Sequence, residues 1–251
     1  MAKANGVIMR GKADIVLGRV PVLACLQAGR RLPRRLYVQQ GAKGLETLMR
    51  AVPPIPVERR DKNALDKLSR GVLHQGVVLE ADPVPLLDEK ALVPAVTAPN
   101  AFVVVLDGVE DPHNFGAIVR SAAACGASAV VFGKDRSAPL SPAMTKAAAG
   151  GVEHVPMAQV PNLVRALGRL QEAGFWFAVL DPGGDRLLWE ADLTGRVGLV
   201  IGSEGKGVRR LLRQRCDMGV RIPIRGAITS LNASVSAGIA LMECLRQRHN
   251  A

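Results

Sequence analysis

The chain has little of what disulfide-rich and metal-binding proteins need. Only 3% of its 251 residues are aromatic, and its cysteines are few and far apart: Cys25, Cys125, Cys216 and Cys244. This spacing indicates neither a disulfide framework nor a zinc site, and the four histidines are equally scattered. We therefore expect no metal, and four reduced cysteines in a cytoplasmic protein.

Long apolar runs are also missing. No stretch reaches the roughly 18 apolar residues that a membrane-spanning helix requires. Polar residues interrupt positions 1–18, where a signal peptide would need an apolar block. The sequence thus predicts neither a membrane partner nor secretion, although an apolar content of 48% is enough for a folded core and excludes intrinsic disorder.

Positive charge is what the chain has in excess. It carries 33 Lys and Arg against 22 Asp and Glu, a net charge of +11, which predicts a polyanionic partner such as nucleic acid. The excess is uneven, since residues 1–82 hold 15 basic and 7 acidic residues, a net charge of +8. Within them Arg30, Arg31, Arg34 and Arg35 can each be a solvated surface residue, but together they favour RNA binding.

Periodicity predicts two folded units. The proline-rich segment 84–99 is typical of a linker and separates residues 1–83, a small α/β domain, from residues 100–251. In the second unit apolar runs alternate with helical stretches, which is the pattern of a mostly parallel sheet. Its last helix, predicted from Leu231 onward, has these residues on its apolar stripe: Val235, Ile239, Met242 and Leu245.

Three polar segments each follow an apolar strand, where open α/β sheets place their ligand crevices. The first contains Asn114, a candidate helix cap, and Arg120 on the second turn, whose long side chain leans back toward Asn114. The second is a glycine-rich loop around Glu204 that matches neither the nucleotide P-loop nor the dinucleotide fingerprint. The third carries Ser230 and Asn232, each of which can simply cap the last helix. We expect the three segments to converge.

The motifs, read in order, are Asn114-x-Gly-x-x-x-Arg120, Ile201-Gly-Ser-Glu204-Gly, and Ile222-Pro-Ile with Ser230-Leu-Asn232. They resemble the three signature motifs of the SpoU class of RNA ribose 2′-O-methyltransferases, over roughly residues 100–248. Upstream, the segments that begin at Gly18 and His74 resemble the N-terminal substrate-binding domain of that class. Within it, the chain is most similar to the RlmB-type bacterial enzymes, which methylate a guanosine of the peptidyl-transferase P loop in 23S rRNA.

The resemblance implies a fold, a cofactor and a set of site residues. The fold is an α/β, SPOUT-type, trefoil-knotted parallel-sheet methyltransferase domain preceded by a small α/β RNA-binding domain like those of ribosomal proteins. It also implies S-adenosylmethionine as methyl donor, 23S rRNA or its precursor as partner, and a homodimer. Cofactor-binding positions carried over by the motifs are Gly202, Ile222 and Leu231. The polar positions around the methyl group are Asn114, Arg120, Glu204, Ser230 and Asn232.

Several alternatives stay open on the sequence alone. The arginine that matches Arg120 has been proposed in this family as the base for the hydroxyl proton, whereas a bidentate grip on a phosphate suits a guanidinium better. The target can also be a tRNA or another nucleotide of 23S rRNA. A non-catalytic ribosome-assembly protein is the rival from another class, and an oxidoreductase is disfavoured because the phosphate fingerprint is absent.

Overall fold

The computed structural model describes residues 2–4, 7–9 and 13–249. The first half of the chain forms β1 (Ala2–Ala4), β2 (Val7–Met9), β3 (Asp14–Leu17), α1 (Arg19–Ala28), β4 (Pro33–Gln39), α2 (Glu46–Arg50), β5 (Val57–Arg60), α3 (Lys62–Ser69), β6 (Val77–Ala81), β7 (Leu86–Leu87), α4 (Glu89–Ala95), β8 (Phe102–Asp107) and α5 (Pro112–Ala124). The second half forms β9 (Ala129–Gly133), α6 (Pro142–Ala147), β10 (Met157–Val160), α7 (Leu163–Glu172), β11 (Trp176–Leu180), β12 (Arg186–Leu187), β13 (Val197–Gly202), α8 (Arg210–Arg213), β14 (Met218–Arg221) and α9 (Ala233–His249). Short 3₁₀ turns lie at Gly151–Glu153 and Leu188–Glu190.

The first unit is built on a four-stranded sheet of order β3-β6-β4-β5. Only the pair β4 and β5 is parallel. Apolar residues cover both sheet faces, with Val22, Leu36 and Leu79 in one cluster and Tyr37 and Leu65 in the other. The small α/β unit predicted from the sequence is therefore confirmed in its layers.

Helix α3 was not expected, because its sequence is dominated by polar residues. It forms since the Asp61 side chain accepts a hydrogen bond from the Ala64 amide at 2.7 Å, which caps the first turn. Leu65 then packs its fully buried side chain beneath the sheet. A cap and one buried leucine are enough to fix a short helix against a sheet, although they leave a weak periodic pattern.

The second unit is built on a larger sheet of order β1-β2-β7-β10-β9-β8-β13-β11-β14-β12 within the described residues. Every pairing from β7 to β12 is parallel. Central strands β8 and β9 are buried along their whole length, as a sheet covered by helices on both faces requires. The predicted mostly parallel α/β fold is confirmed.

The proline-rich segment 84–99 contains regular structure. Leu86–Leu87 pairs in parallel with β10, and α4 begins after Asp88, whose carboxylate accepts hydrogen bonds from the amides of Lys90 and Ala91 at 3.0 Å. The helix is difficult to recognise from the sequence because it is short and contains a proline, Pro94, in its last turn. The segment thus connects the units and also extends the larger sheet.

The arginine cluster that favoured RNA binding is used within the molecule. Arg31 is 1% exposed in its side chain and forms an ion pair with the equally buried Glu153 of the second unit. Arg30 donates to the carbonyl oxygens of Glu153 and Val155, both at 3.3 Å. These two arginines join the units to each other.

The remaining two members of the cluster are also paired. The Arg34 guanidinium contacts Asp82 at 2.7 Å, and Arg35 pairs with Glu58 across the small sheet. The four arginines are therefore not a free basic surface: Arg31 is buried, whereas Arg34 and Arg35 are paired but about half exposed. Their spacing suggested a free basic surface, whereas the acidic partners come from distant parts of the chain.

Of the apolar stripe predicted on the last helix, only Leu245 packs against the core. The residues that α9 buries are Ala233, Ala237, Ala240, Leu241 and Cys244. Val235 and Met242 are instead 51% and 58% exposed. Small alanines face inward because α9 packs closely against α5. None of the helices within the described residues is long and apolar enough to cross a membrane.

Candidate active site

A cavity of about 840 Å³ lies at the carboxyl edge of the larger sheet. Its walls are the loops that follow β11, β13 and β14, together with the first residues of α9. Two of the three polar segments identified in the sequence contribute lining residues directly, and the segment that follows β8 reaches the same edge through Asn114. The predicted convergence at the strand ends is confirmed.

Asn232 joins the three segments through one side-chain amide. Its Nδ2 donates to Asn114 Oδ1 at 3.0 Å and to Glu204 Oε1 at 2.6 Å. Its Oδ1 accepts from the backbone amides of Ser234 at 2.9 Å and Val235 at 3.4 Å, which caps α9. The capping role and the functional role considered for this asparagine therefore coexist, one on each end of the amide.

Asn114 is free to take part because another residue caps its helix. The Asp111 carboxylate accepts from the amides of His113 at 3.0 Å and Asn114 at 3.4 Å, and Pro112 occupies the first helical position. The expectation that Asn114 is the N-cap is wrong, since α5 begins at Pro112. The Asn114 amide is left to face the cavity loops.

The glycine-rich loop folds tightly over the end of β13. Ser203 and Gly207 form an isolated bridge, their backbone amides and carbonyls pairing at 3.0 and 3.2 Å. A Cβ added at Gly202 would lie 2.2 Å from the carbonyl carbon of Gly207, so only glycine fits at that position. Gly205 adopts a φ of 80° at the loop tip. These contacts place Gly202 on the cavity wall, where the motif predicted it.

A buried carboxylate at the end of β8 anchors this loop. The side chain of Asp107 is 0% exposed and accepts from the Arg209 backbone amide at 2.8 Å and from its Nε at 2.7 Å. Arg209 lies where the loop enters α8, so the pair ties strand and loop together. Sequence reasoning missed both residues, although Asp107 is the first polar residue after an apolar strand and this position was a usable signal.

A third wall was also missed. Leu180, Asp181 and Pro182 follow β11 and line the cavity, and Asp181 pairs with Arg213 at 3.0 Å. The strand-end rule that identified the other loops applies equally to this one. It was overlooked because its sequence matches no functional pattern.

The structure places six of the eight predicted site residues on the cavity wall: Gly202, Glu204, Ile222, Ser230, Leu231 and Asn232. Asn114 joins them by its hydrogen bond to Asn232. Arg120 is not among the residues that line the cavity. It lies in the third turn of α5 rather than the second, because α5 begins earlier than expected. Six residues rotate a helix by about 600°, so the guanidinium lies about 120° around the axis from Asn114. The expectation that the two side chains meet is wrong within one protomer.

Arg120 is exposed and unpaired. Across the described part of the chain, no carboxylate or carbonyl accepts a hydrogen bond from its guanidinium. Behind it the helix is held rigidly, since a Cβ added at Gly151 would lie 3.0 Å from the Arg120 Cα. The helix backbone is thus closely packed at this position, while the exposed guanidinium is available to an external anion.

The site offers no cysteine nucleophile. Burial, with the nearby carboxylates Asp217 and Asp107, raises the pKa of the Cys216 thiol to about 12. All four cysteines are unpaired, as expected. No group of three metal-ligating side chains was found in residues 13–249.

Comparison with known proteins gives two family matches. The SpoU rRNA Methylase family matches residues 101–242, and the RNA 2′-O ribose methyltransferase substrate binding family matches residues 15–87. Among curated proteins, the 23S rRNA (guanosine-2′-O-)-methyltransferase RlmB of Pseudomonas putida is 39% identical over 93% of this chain and 96% of its own. The RlmB of Escherichia coli is 37% identical over 94% of this chain and 99% of its own.

Among solved structures, the SpoU methyltransferase AviRb from Streptomyces viridochromogenes, in complex with AdoMet, superposes with a TM-score of 0.80. It is 22% identical and covers 98% of this chain and 92% of its own, a likeness that supports the fold. The sequence motifs and the sheet topology agree with the two family matches. From these matches, and from relatives 37% and 39% identical over almost its whole length, the chain belongs to the SpoU rRNA methylase family.

Proposed function

We propose that the chain transfers a methyl group from S-adenosylmethionine to the ribose 2′-hydroxyl of a guanosine in 23S rRNA, in the peptidyl-transferase P loop. The observation that carries the proposal is the Asn232 amide, which joins Asn114 and Glu204 beside the cavity. The RlmB relatives, named for this reaction on 23S rRNA, support the substrate. A ribosomal RNA substrate places the reaction in the bacterial cytoplasm.

The cavity fits S-adenosylmethionine in size and lining. Gly202 offers close backbone approach, while Ile222 and Leu231 offer apolar surface for the adenosyl group. AviRb, which shares the fold, was solved with AdoMet. When bound, the sulfonium supplies an electrophilic methyl group, so the protein's task is mainly to align the ribose hydroxyl with it.

Polar side chains would provide that alignment. Asn114 and Glu204 are held by Asn232 at the cavity edge, and the Ser230 hydroxyl lies exposed on the cavity wall. We assign these four residues to positioning the nucleotide and enclosing the methyl donor. Their preorganisation means that little rearrangement is needed when the RNA arrives.

Arg120 is assigned to the phosphate beside the reacting ribose. A guanidinium stays protonated in proteins, so it is a poor base, but its planar fork holds a phosphate in bidentate geometry. Its lack of a partner in the described residues supports this role.

Arg120→Lys separates the fork from the charge. Lysine keeps the positive charge but loses the bidentate grip, so we expect turnover to fall by about 10- to 100-fold with near-normal folding. Turnover near the wild-type rate would contradict the bidentate role. Arg120→Ala is the reference for loss of both properties.

The division of labour follows the predicted domain boundaries. We assign RNA capture to residues 1–83 and methyl transfer to residues 100–251, with 84–99 as the connection. The net charge of +8 on residues 1–82 supports the first assignment, as does the match of residues 15–87 to a substrate-binding family.

We also propose a homodimer formed through the outer face of α9. Val235, Ile239 and Met242 are 51%, 39% and 58% exposed and lie on one side of the helix. Met242→Glu should shift the protein from dimer to monomer in sedimentation velocity. Leu211→Glu, at a residue that is 69% exposed on α8, is the matched control and should leave the dimer intact. A dimer that survives Met242→Glu would contradict this interface.

The function is tested by transfer of labelled methyl from S-adenosylmethionine to protein-free 23S rRNA and, separately, to bulk tRNA. We expect label in 23S rRNA with the wild-type protein and a large loss with Arg120→Ala. Label only in tRNA would overturn the substrate but keep the chemistry. Absence of transfer to any RNA, including ribosomal precursor particles, would overturn the enzymatic function.

A further inference from the structure

A second cavity, of about 510 Å³, opens in the first unit. It lies between the start of α1, the loop after β4, the start of α3 and the loop before β6. Gln39, Lys62 and Gln75 contribute polar side chains to its walls. None of the residues assigned to methyl transfer reaches it, so it needs a separate explanation.

The loop before β6 is held in an unusual conformation. Gln75 has a φ of 53° and Gly76 a φ of 82°, so a non-glycine residue occupies the left-handed region. His74, which is 4% exposed, fixes the loop: its Nδ1 accepts from the Gly76 amide at 3.0 Å, and its Nε2 therefore donates to Asp66 Oδ1 at 3.0 Å. Strain of this kind persists where the surroundings enforce it, commonly at binding loops.

Arg19 places a fixed positive charge on the cavity wall. Its guanidinium donates to the carbonyl oxygens of Lys43 at 2.8 Å, Gly44 at 3.2 Å and Gln75 at 3.3 Å. Its own backbone amide donates to Gln75 Oε1 at 3.1 Å. Because carbonyls rather than carboxylates hold the guanidinium, its charge is not neutralised.

Lys62 adds a second cation at a position that does not favour the helix. It is the first residue of α3, where a positive charge opposes the helix macrodipole. Its ammonium group has no acceptor among the residues the structure describes. Lys67, in the last turn of the same helix, is oriented favourably and lies outside the cavity. Lys62 thus adds a positive charge to a cavity wall that also contains the Asp66 carboxylate, which is hydrogen-bonded to His74.

The cavity is connected to the transfer site through α6. Lys146 of α6 donates to the carbonyl oxygen of Leu73 on the cavity loop, and burial lowers the pKa of this ammonium group. On the other side α6 packs on α5, since a Cβ added at Gly116 would lie 2.5 Å from the Met144 carbonyl oxygen. A ligand in the cavity is therefore held at a set distance from Asn114.

We propose that this cavity binds an unpaired nucleotide of the substrate RNA. Its phosphate would lie against Arg19 and Lys62, and the edge of its base against the side-chain amides of Gln39 and Gln75. Amides can donate and accept, which suits base edges that are accessible only in single-stranded loops. The proposal rests on the proposed function, which supplies the RNA, and adds the place where a second nucleotide is read.

The test measures binding of an RNA hairpin with an open loop and of a fully paired duplex of the same length at one salt concentration. Lys62→Ala should weaken hairpin binding about tenfold and Gln39→Ala several-fold, because each loses a direct contact. Lys67→Ala is the matched control and should change hairpin binding less than twofold. Duplex binding should respond little and equally to all three variants.

Equal losses with Lys62→Ala and Lys67→Ala, or unchanged hairpin binding with Gln39→Ala, would overturn the cavity and leave general electrostatics. Melting temperatures show that the variants are folded, and Lys62→Ala should not destabilise α3. The wild-type methyl-transfer assay separates the two proposals. If the wild-type protein transfers methyl groups and both cavity variants bind the hairpin normally, only the cavity proposal is wrong. If the cavity variants lose hairpin binding but the wild-type protein transfers no methyl group, only the proposed reaction is wrong.

Discussion

At the scale of single residues, Asn232 is the position on which the site depends most. Asn232→Asp keeps the oxygen that caps α9 but replaces the Nδ2 donor with a carboxylate oxygen that faces Asn114 Oδ1 and Glu204 Oε1. We expect methyl transfer to fall about 100-fold while the melting temperature stays close to that of the wild type. Asn232→Ala removes both functions and should also lose about 1 kcal/mol of unfolding free energy.

Full activity in Asn232→Asp would show that the amide is only a helix cap. The sequence motifs singled out this residue, but a helix cap and a bridging donor cannot be told apart from the sequence alone. Asp107 shows the opposite case, because it is buried and paired only once the loop after β13 has folded back over β8. Its contact with Arg209 joins positions more than 100 residues apart, which no local pattern encodes.

At the scale of elements, the loop between β13 and α8 is held by that contact. Asp107→Asn should weaken the anchoring of Arg209 and raise the KM for S-adenosylmethionine about tenfold, because the loop that lines the cavity is less ordered. Asp217→Asn is the matched control, since it removes the charge of a carboxylate that accepts a 2.8 Å hydrogen bond from the Phe177 amide but does not contact the loop. An unchanged KM in Asp107→Asn would show that the loop orders itself.

Helix α4 provides a pH-dependent contact with α7. Hydrogen bonds from Arg165, at 2.5 and 2.6 Å, lower the pKa of Glu89 below its usual value of 4.5. Because the pKa of Glu89 is lower in the folded state than in the unfolded state, the ion pair stabilises the fold fully at pH values above 4.5. This stabilisation is lost as the pH falls through the pKa of the folded state. Glu89→Gln should therefore lower the melting temperature by a few degrees at pH 7 and by progressively less as the pH falls below 4.5.

Thermal melts of both proteins from pH 3 to pH 7 check this, with Glu172→Gln on α7 as the control. A difference between wild type and Glu89→Gln that does not shrink as the pH falls below 4.5 would contradict the ion pair as its source. The sequence predicted a linker here, since three prolines obscure the short strand and helix. The apolar stripe of α9 was also interpreted incorrectly. Amphipathicity identifies an apolar face of a helix but does not tell whether that face is buried in the core or exposed on the surface.

At the scale of the whole molecule, the two units are joined by the buried pair of Arg31 and Glu153. Removal of Glu153 leaves the buried Arg31 with only the more distant Asp14 carboxylate, at 3.6 Å, so Glu153→Met should lower the free energy of unfolding by about 3 kcal/mol. The double variant Arg31→Met with Glu153→Met should recover much of that loss. Urea denaturation measures both effects, and Arg34→Met, which breaks the exposed pair with Asp82, should change stability by less than about 1 kcal/mol.

If Glu153→Met and the double variant are equally unstable, packing rather than charge joins the units. The layered α/β architecture was predictable from the alternation of apolar runs with helical stretches. The junction between the units was not, because Arg31 is surrounded in sequence by other arginines that lie on the surface. Only the three-dimensional structure separates the buried arginine from its neighbours.

Nucleoside mass spectrometry tests directly whether the cavity and the Asn232 cluster carry out ribose methylation of 23S rRNA. Protein-free 23S rRNA is incubated with S-adenosylmethionine and the wild-type protein, digested, and the modified position is located in the fragments. We expect 2′-O-methylguanosine at one P-loop position with the wild-type protein, and no modification at that position with Asn232→Asp. A methyl group on a base, or the same ribose product with Asn232→Asp, would contradict it.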